Sequence, residues 1–312
     1  MRNLSIRLKE TVHIACAADN AYVQHATVML CSLFENNKSN QVHIHFFSAD
    51  FSQINIEIVE TLVQSYQQKF DFYSLDESIF KDCYISNHVS YATYYRIVIP
   101  NLVQLITPKI LYLDTDVIIC KDLLPLWQTD IGNCLIAAAN EPSLANNARL
   151  EIPKEYEYFN AGILLINVID WVSSEITPTL FNYIKKHQNA LTFWDQDALN
   201  ANLYNQRKKI SPAWNQQGAF FELSKVALLE IYGKEELAEA IKKPAIVHFT
   251  GSSKPWEYLN FHPFKYLYYQ YLNQTVFKEF RPQTSLGTKL KYQIIKLVGR
   301  KIYSNFFRVI GK

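Results

Sequence analysis

The 312-residue sequence has no Cys-x-x-Cys pair. Its five cysteines (Cys16, Cys31, Cys83, Cys120 and Cys134) are scattered, and several lie in apolar surroundings. Buried thiols in a reducing compartment fit this usage better than a disulfide framework. No stretch reaches the roughly 18 uninterrupted apolar residues of a membrane span. Met1 to Glu10 is polar and charged, unlike the apolar core of a signal peptide. No internal repeat or low-complexity linker is visible. No G-x-G-x-x-G follows the first predicted strand, and no glycine-rich loop ends in Gly-Lys-Ser/Thr before a helix, which weighs against dinucleotide and P-loop readings. Acid is missing from one region altogether. Between Lys289 and Lys312 there are seven basic residues and no carboxylate side chain, although the whole chain carries only +2.

The composition present, 49% hydrophobic and 14% aromatic, is that of a folded chain with one large core. Thr11 to Ala18 reads as a first strand, ending at Asp19-Asn20. A helix pattern follows over Val23 to Glu35, then a strand over Val42 to Ser48, a helix over Ile54 to Tyr66 and a short strand near Phe70 to Tyr73. This alternation predicts right-handed crossovers and a mostly parallel sheet. Further strands are predicted at Lys109 to Leu113, Cys134 to Ala138, Tyr158 to Asn167 and Ala245 to Phe249. Helices are predicted over Trp171 to His187, broken at Ile176-Thr177, over Asp195 to Asn200 and over Phe261 to Tyr271.

The chain is organised around Ile110-Leu111-Tyr112-Leu113-Asp114-Thr115-Asp116-Val117-Ile118-Ile119. An apolar run of this kind reads as a strand buried on both faces, and ligands of open α/β sheets bind beyond the carboxyl ends of such strands. Asp114 and Asp116 fall there, separated only by Thr115. Two such carboxylates repel each other, and a hard divalent cation resolves the conflict while also taking substrate phosphates. The bland alternative is a solvated turn. His248 stands within another predicted core strand, as a satisfied core histidine or as an imidazole ligand. After it, Thr250-Gly251-Ser252-Ser253-Lys254 offers backbone N–H groups and an amine suited to phosphate. Arg96 can add a second positive contact, or serve only structure. Asn160, Asp195 and Gln196 are suited to sugar hydroxyls.

Six segments occur in an order that resembles glycosyltransferase family 8, the retaining nucleotide-sugar transferases that include bacterial lipopolysaccharide galactosyl- and glucosyltransferases and glycogenin. They are HIACAADNAY (His13 to Tyr22), YATYYR (Tyr91 to Arg96), ILYLDTDVII (Ile110 to Ile119), FNAGILLIN (Phe159 to Asn167), DQDALN (Asp195 to Asn200) and HFTGSSKPW (His248 to Trp256). The resemblance implies an α/β fold of GT-A type, a single Rossmann-like, mostly parallel central sheet with helices on both faces. It implies that Asp114, Asp116 and His248 bind Mn²⁺, with Mg²⁺ as the alternative, and that Asp114, Thr115 and Asp116 meet the donor diphosphate. Gly251 and Lys254 then match the phosphate loop, Ala17, Asp19 and Tyr22 the uridine pocket, and Arg96, Asn160, Asp195 and Gln196 the donor sugar and reaction centre. The family often has Asp-Asp-Asn-Tyr or a close variant where this chain has Asp19-Asn20-Ala21-Tyr22, so Ala21 lacks an amide that would reach ribose or base.

The expected reaction moves glucose or galactose from a UDP-sugar to a saccharide hydroxyl of lipopolysaccharide, lipooligosaccharide or another surface glycan. Double displacement needs a carboxylate nucleophile, whereas the matching residue is Gln196. Same-face attack, with the leaving diphosphate as base, is therefore expected. The other readings are a silent nucleotide-sugar-binding or lectin-like domain and a transferase with a protein acceptor.

Two regions are expected, a catalytic domain at 8–280 and a basic amphipathic C-terminal helical appendage at 281–312. In the latter, Leu290, Ile294, Val298, Ile302 and Phe306 recur every fourth residue, extended by Phe307 and Ile310, opposite Lys296, Arg300, Ser304 and Arg308. Such a helix suits an anionic membrane surface, which implies a cytoplasmic enzyme, peripheral on the inner face of the cytoplasmic membrane. The bland alternative is a helix docked on the core or on a partner. A nucleic-acid partner is disfavoured, because the basic excess is confined to the tail and no recognition module is present. The sequence assigns no oligomeric state.

Overall fold

The computed structural model describes residues 10–81, 83, 91–142, 146–293 and 295–296. The chain opens with β1 (Thr11–Ala17), α1 (Val23–Asn36), β2 (Gln41–Ser48), α2 (Gln53–Ser65) and β3 (Lys69–Ser74). Next come α3 (Tyr95–Val103), β4 (Lys109–Leu113), β5 (Val117–Ile119), α4 (Leu124–Trp127), β6 (Ile136–Ala138) and α5 (Asn146–Arg149). The second half carries β7 (Ile163–Asn167), α6 (Val168–Ser173), α7 (Ile176–His187), α8 (Trp194–Leu203), β8 (Arg207–Lys209), β9 (Gln216–Gln217), α9 (Lys225–Lys242), β10 (Ile246–His248) and α10 (Lys265–Leu272).

A central sheet has the order β3-β2-β1-β4-β7-β6-β8. Strands β1 to β4 run parallel, β7 runs antiparallel to both β4 and β6, and β8 is parallel to β6. Alternation along β1 explains the layers. Ile14 and Cys16 face a core filled by α1 and α2, while Ala15 and Ala17 face one filled by α3, α6, α7 and α8. Each buried Leu, Ile or Val contributes about 1.5–3 kcal/mol, so Leu30→Ala in α1 costs roughly 2–5 kcal/mol. Helices do flank both faces, as expected.

The expectation of a single sheet is corrected. A second sheet, β5-β10-β9, stands beside the first, and the strand predicted at Ala245 to Phe249 belongs to it. The reason is the turn that follows β4. Strand β4 ends at Leu113, and the chain turns through Asp114–Asp116 before β5 pairs antiparallel with β10. Elsewhere, the strand predicted from Tyr158 begins only at Ile163, because Asn160 turns its side chain onto the backbone N–H of Gly162 at 3.0 Å. The predicted break in Trp171 to His187 falls slightly earlier. Glu175 adopts a left-handed φ of 50°, and Pro178 sits in the first turn of α7, where no N–H is needed. Elements β8, β9 and α9 were not expected.

Residues 286–293 are helical, with Leu286 and Leu290 exposed. The Tyr292 ring packs on Tyr258 and Phe261, at centroid distances of 5.2 and 5.1 Å. Ile294, Val298, Ile302, Phe306, Phe307 and Ile310 of the predicted stripe, and Arg300, Ser304 and Arg308 opposite, lie outside the described residues.

Candidate active site

The crossing between the sheets forms the centre of the site. The Asp114 N–H donates to the Gly162 carbonyl at 2.8 Å, extending the β4–β7 ladder. The Asp116 carbonyl accepts from the Phe249 N–H at 3.1 Å, extending the β5–β10 ladder. The chain changes sheet across Thr115, which brings both carboxylates to one crevice beyond the carboxyl ends of β1 and β4. Strand β10 carries His248 there. Its Nε2 lies 3.2 Å from Asp116 Oδ1 and 3.7 Å from Asp114 Oδ2. Gly162 makes room for this approach. A Cβ on it would collide with the His248 ring and come within 2.6 Å of Asp114 Oδ2.

These residues fit a metal. One ligand atom from each of Asp114, Asp116 and His248 lies within 4.8 Å of the others. Asp116 Oδ1 is buried without a hydrogen-bond partner, a costly state that a cation relieves. Two carboxylates and an imidazole suit a divalent ion. The imidazole is also held in the right tautomer. Backbone N–H groups of Ala161 and Gly162 donate to Gln196 Oε1 (3.0 Å) and Asn160 Oδ1 (3.0 Å). This fixes both amides. Asn215 then donates to Asn160 Oδ1 at 2.9 Å and turns its own Oδ1 to His248 Nδ1, also at 2.9 Å. With Nδ1 carrying the proton, Nε2 offers its lone pair to the centre.

The buried Arg96 and the half-buried Lys254 offset part of this negative charge. Arg96 Nη2 lies 3.1 Å from Asp114 Oδ1 and its Nε 2.9 Å from Asp195 Oδ2. Burial works against the Arg96 charge, but the two aspartates outweigh it and hold its pKa above the usual range. The Nε–H is directed at the Thr93 carbonyl, so Asp195 Oδ2 is close to charge yet without a hydrogen-bond donor. Asp195 Oδ1 accepts from the Thr93 hydroxyl. Burial pushes the Asp195 carboxyl up to about 6, against the pull of Arg96 and Thr93. Lys254 Nζ contacts Asp116 Oδ2 at 2.6 Å and donates to the Phe249 carbonyl at 2.9 Å. Burial raises the Asp116 pKa, but the Lys254 ammonium outweighs it and holds the carboxyl below the usual range.

The residues that the resemblance matches to the metal, the donor and the reaction centre all line one cleft of about 1070 Å³. At one end Tyr22 meets Trp256 edge-on, at 5.8 Å, and Trp256 is stacked on His25 at 3.4 Å. Asp19 caps the turn by accepting from the Ala21 N–H at 3.1 Å. Asn20 ties this turn to the β2–α2 connection, its N–H donating to Asp50 and its Oδ1 accepting from the Ser52 N–H, both at 2.9 Å. Gly251 takes a φ of +84°, which favours glycine in this turn.

Sequence reasoning missed Glu141, which lines the cleft and accepts from Asn160 (3.0 Å) and Gln196 (3.1 Å). It also missed Asn215, and it gave no role to Thr93 or Trp256. The last two lie in or beside quoted motifs, the only signal available; Glu141 and Asn215 stand in polar loops without one.

The fold and site define a GT-A-like glycosyltransferase with a metal-coordinating Asp/His centre. Residues 13–260 match glycosyl transferase family 8, and the chain belongs to that family. It is 30% identical over 275 residues to general stress protein A of Bacillus subtilis, covering 86% of this chain and 96% of that protein. It is 26% identical over 258 residues to lipopolysaccharide 1,3-galactosyltransferase of Salmonella typhimurium, covering 78% and 72%. The galactosyltransferase LgtC, solved with donor and acceptor sugar analogues, has the same fold, with a TM-score of 0.79 at 21% identity over 85% of this chain and 96% of that one.

Proposed function

We propose that the protein is a retaining hexosyltransferase that moves glucose or galactose from a UDP-sugar to a saccharide hydroxyl of lipopolysaccharide or another surface glycan. Mn²⁺ is the proposed ion, with Mg²⁺ as the alternative. The observation that carries the reading is the Asp114–Asp116–His248 centre set between an aromatic wall and an amide-rich one. Tyr22 and Trp256 offer faces for the base, and Asn160, Asp195 and Gln196 face the sugar.

Asp114, Asp116 and His248 would hold the ion. When bound, it neutralises charge on the donor diphosphate. Lys254 and the backbone of the Gly251 turn supply further positive contacts for phosphate oxygens. Arg96 locks Asp114 and Asp195 in register with each other. Asp195, gripped by Arg96 and Thr93, sets the polarity that the donor-sugar hydroxyls meet at that end of the cleft. Gln196 acts as an oriented dipole, because its Oε1 already accepts from Asn160 Nδ2 at 3.1 Å and the Ala161 N–H at 3.0 Å. Asp197 is withdrawn as a nucleophile, since Arg149, the Tyr158 hydroxyl and the N–H groups of Thr192 and Phe193 all bind it. These contacts support same-face attack. The bond from the anomeric carbon to the diphosphate breaks, the acceptor oxygen bonds to that carbon, and its proton passes to the leaving diphosphate.

The division into a catalytic domain at 8–280 and a membrane-binding tail at 281–312 belongs to the same proposal. Its support is Leu286 and Leu290 standing exposed while Tyr292 roots the helix on the core. No helix among the described residues is long and apolar enough to cross a membrane. On this reading the enzyme works at the inner face of the cytoplasmic membrane on a lipid-linked acceptor.

The test is nucleotide release from a panel of UDP-hexoses, with and without Mn²⁺, by wild type and Asp116→Ala. Slow Mn²⁺-dependent release from one donor, lost in the variant, is the expected result. Absence of both release and UDP binding would overturn the proposal.

A further inference from the structure

Away from the cleft, toward the amino ends of the parallel strands, three histidines meet on one face of the central sheet. His13 of β1 and His43 of β2 are register partners, and His45 lies two residues further along. Strand alternation therefore puts all three on the same side. One ring nitrogen from each lies within 4.8 Å of the others. His13 Nδ1 is 3.0 Å from His45 Nε2. The far nitrogens are engaged by the next strand: His43 Nε2 meets Asp71 Oδ2 at 2.8 Å, and His45 Nδ1 meets the Tyr73 hydroxyl at 3.0 Å.

A carboxylate or hydroxyl on the far nitrogen is how ligating imidazoles are usually oriented. His45 is completely buried, and only one proton can stand between His13 and His45. Burial first, then the neighbouring His43, hold His13 down to about 4 and His45 down to about 3, so both rings are neutral at pH 7. The cluster reaches the surface at Asp71, whose side chain is 49% exposed, next to the His43 side chain at 13%.

We propose that His13, His43 and His45 form a second metal site, taking a divalent ion of the imidazole-preferring class such as Zn²⁺. The donor sets separate the two centres. Three nitrogens favour zinc, nickel or copper, whereas the carboxylate-rich cleft accepts manganese or magnesium. The ion clips β1 to β2, and through Asp71 and Tyr73 it steadies β3, so its binding adds to folding stability. This site owes nothing to the donor or to the transfer reaction.

The test uses the untagged full chain, stripped of metal and carrying Asp116→Asn to disable the cleft centre. Zn²⁺ binding is read by calorimetry and by elemental analysis after desalting. The expected result is one retained Zn²⁺ per chain with a raised melting temperature. Adding His13→Gln and His43→Gln abolishes both effects. Asp71→Asn, at a half-exposed position, weakens binding about 10–100-fold. No retained Zn²⁺ in the Asp116→Asn chain would overturn the proposal. If the double histidine variant does not fold, Asp71→Asn decides alone, and unchanged Zn²⁺ affinity there counts against the site.

Discussion

The central sheet rests on strands such as β1 and β2, seven and eight residues long and largely buried. The small sheet has strands of only two or three residues, and its buried positions include Gln216, Gln217 and His248. Strands so short bury little apolar surface of their own. The small sheet is held instead by the ladder it shares with the Asp114–Asp116 crossing, and by Val28 and Cys31 of α1 and Tyr268, Tyr271 and Leu272 of α10 beneath it. Apolar burial is concentrated in the first sheet, whereas the second adds Asp116, His248 and the loop to Lys254 to the site. Polar groups can be spent on catalysis where a neighbouring core secures the fold.

The largest expected effect comes from closing the gap between the sheets. Gly162→Ala pushes His248 away from Asp114, so turnover should fall about 10³-fold and Mn²⁺-assisted UDP binding should disappear. Near-normal kinetics would mean that the close approach is not needed. Gln196→Ala leaves both sheets intact and should lower kcat about 10²-fold, with UDP binding within about twofold of wild type. Unchanged turnover would remove Gln196 from the reaction centre. Asn215→Ala frees His248 Nδ1 on the small-sheet side and should weaken Mn²⁺ binding about 10-fold. An unaltered Mn²⁺ titration would show that His248 needs no such support.

The smallest effect is on stability against pH. His262 lies edge-on to Phe249 beside the small sheet, at 4.8 Å, and burial holds it down to about 4. An unfolded histidine titrates near 6.5. Its contribution is therefore fully present above about 6.5 and is lost as pH falls toward 4, because the unfolded chain takes the proton first. His25, likewise lowered chiefly by burial, to about 3, acts in the same direction. Melting temperature should drop between pH 7 and 5 in wild type and drop less in His262→Leu. Parallel curves would exclude His262 as a contributor.

The same contrast decides what could be read from the sequence. Strands β1, β2 and β4 announce themselves by apolar runs, and Asp114 and Asp116 by interrupting one. His248, Gly251 and Lys254 were legible through an ordered motif, not through periodicity. Of the small sheet, β10 was legible within the run Ala245 to Phe249, but its pairing with β5 and β9 was not, because two or three residues carry no period. Nor was the reversal of β7, since an apolar strand looks the same in either direction. Helix α9 was hidden by its mixed composition and by a kink at Gly233, with φ at 71°. Glu141 and Asn215 are polar residues in polar loops, and only the folded chain shows that one anchors Gln196 and the other aims His248.

The most direct measurement is calorimetric titration of UDP into wild type and Asp116→Asn, each with and without Mn²⁺. The account predicts that Mn²⁺ tightens UDP binding at least about 10-fold in wild type and has no effect in the variant. Equal UDP affinity in wild type with and without Mn²⁺ would contradict the claim that the crossing between the sheets is a metal centre for the donor diphosphate.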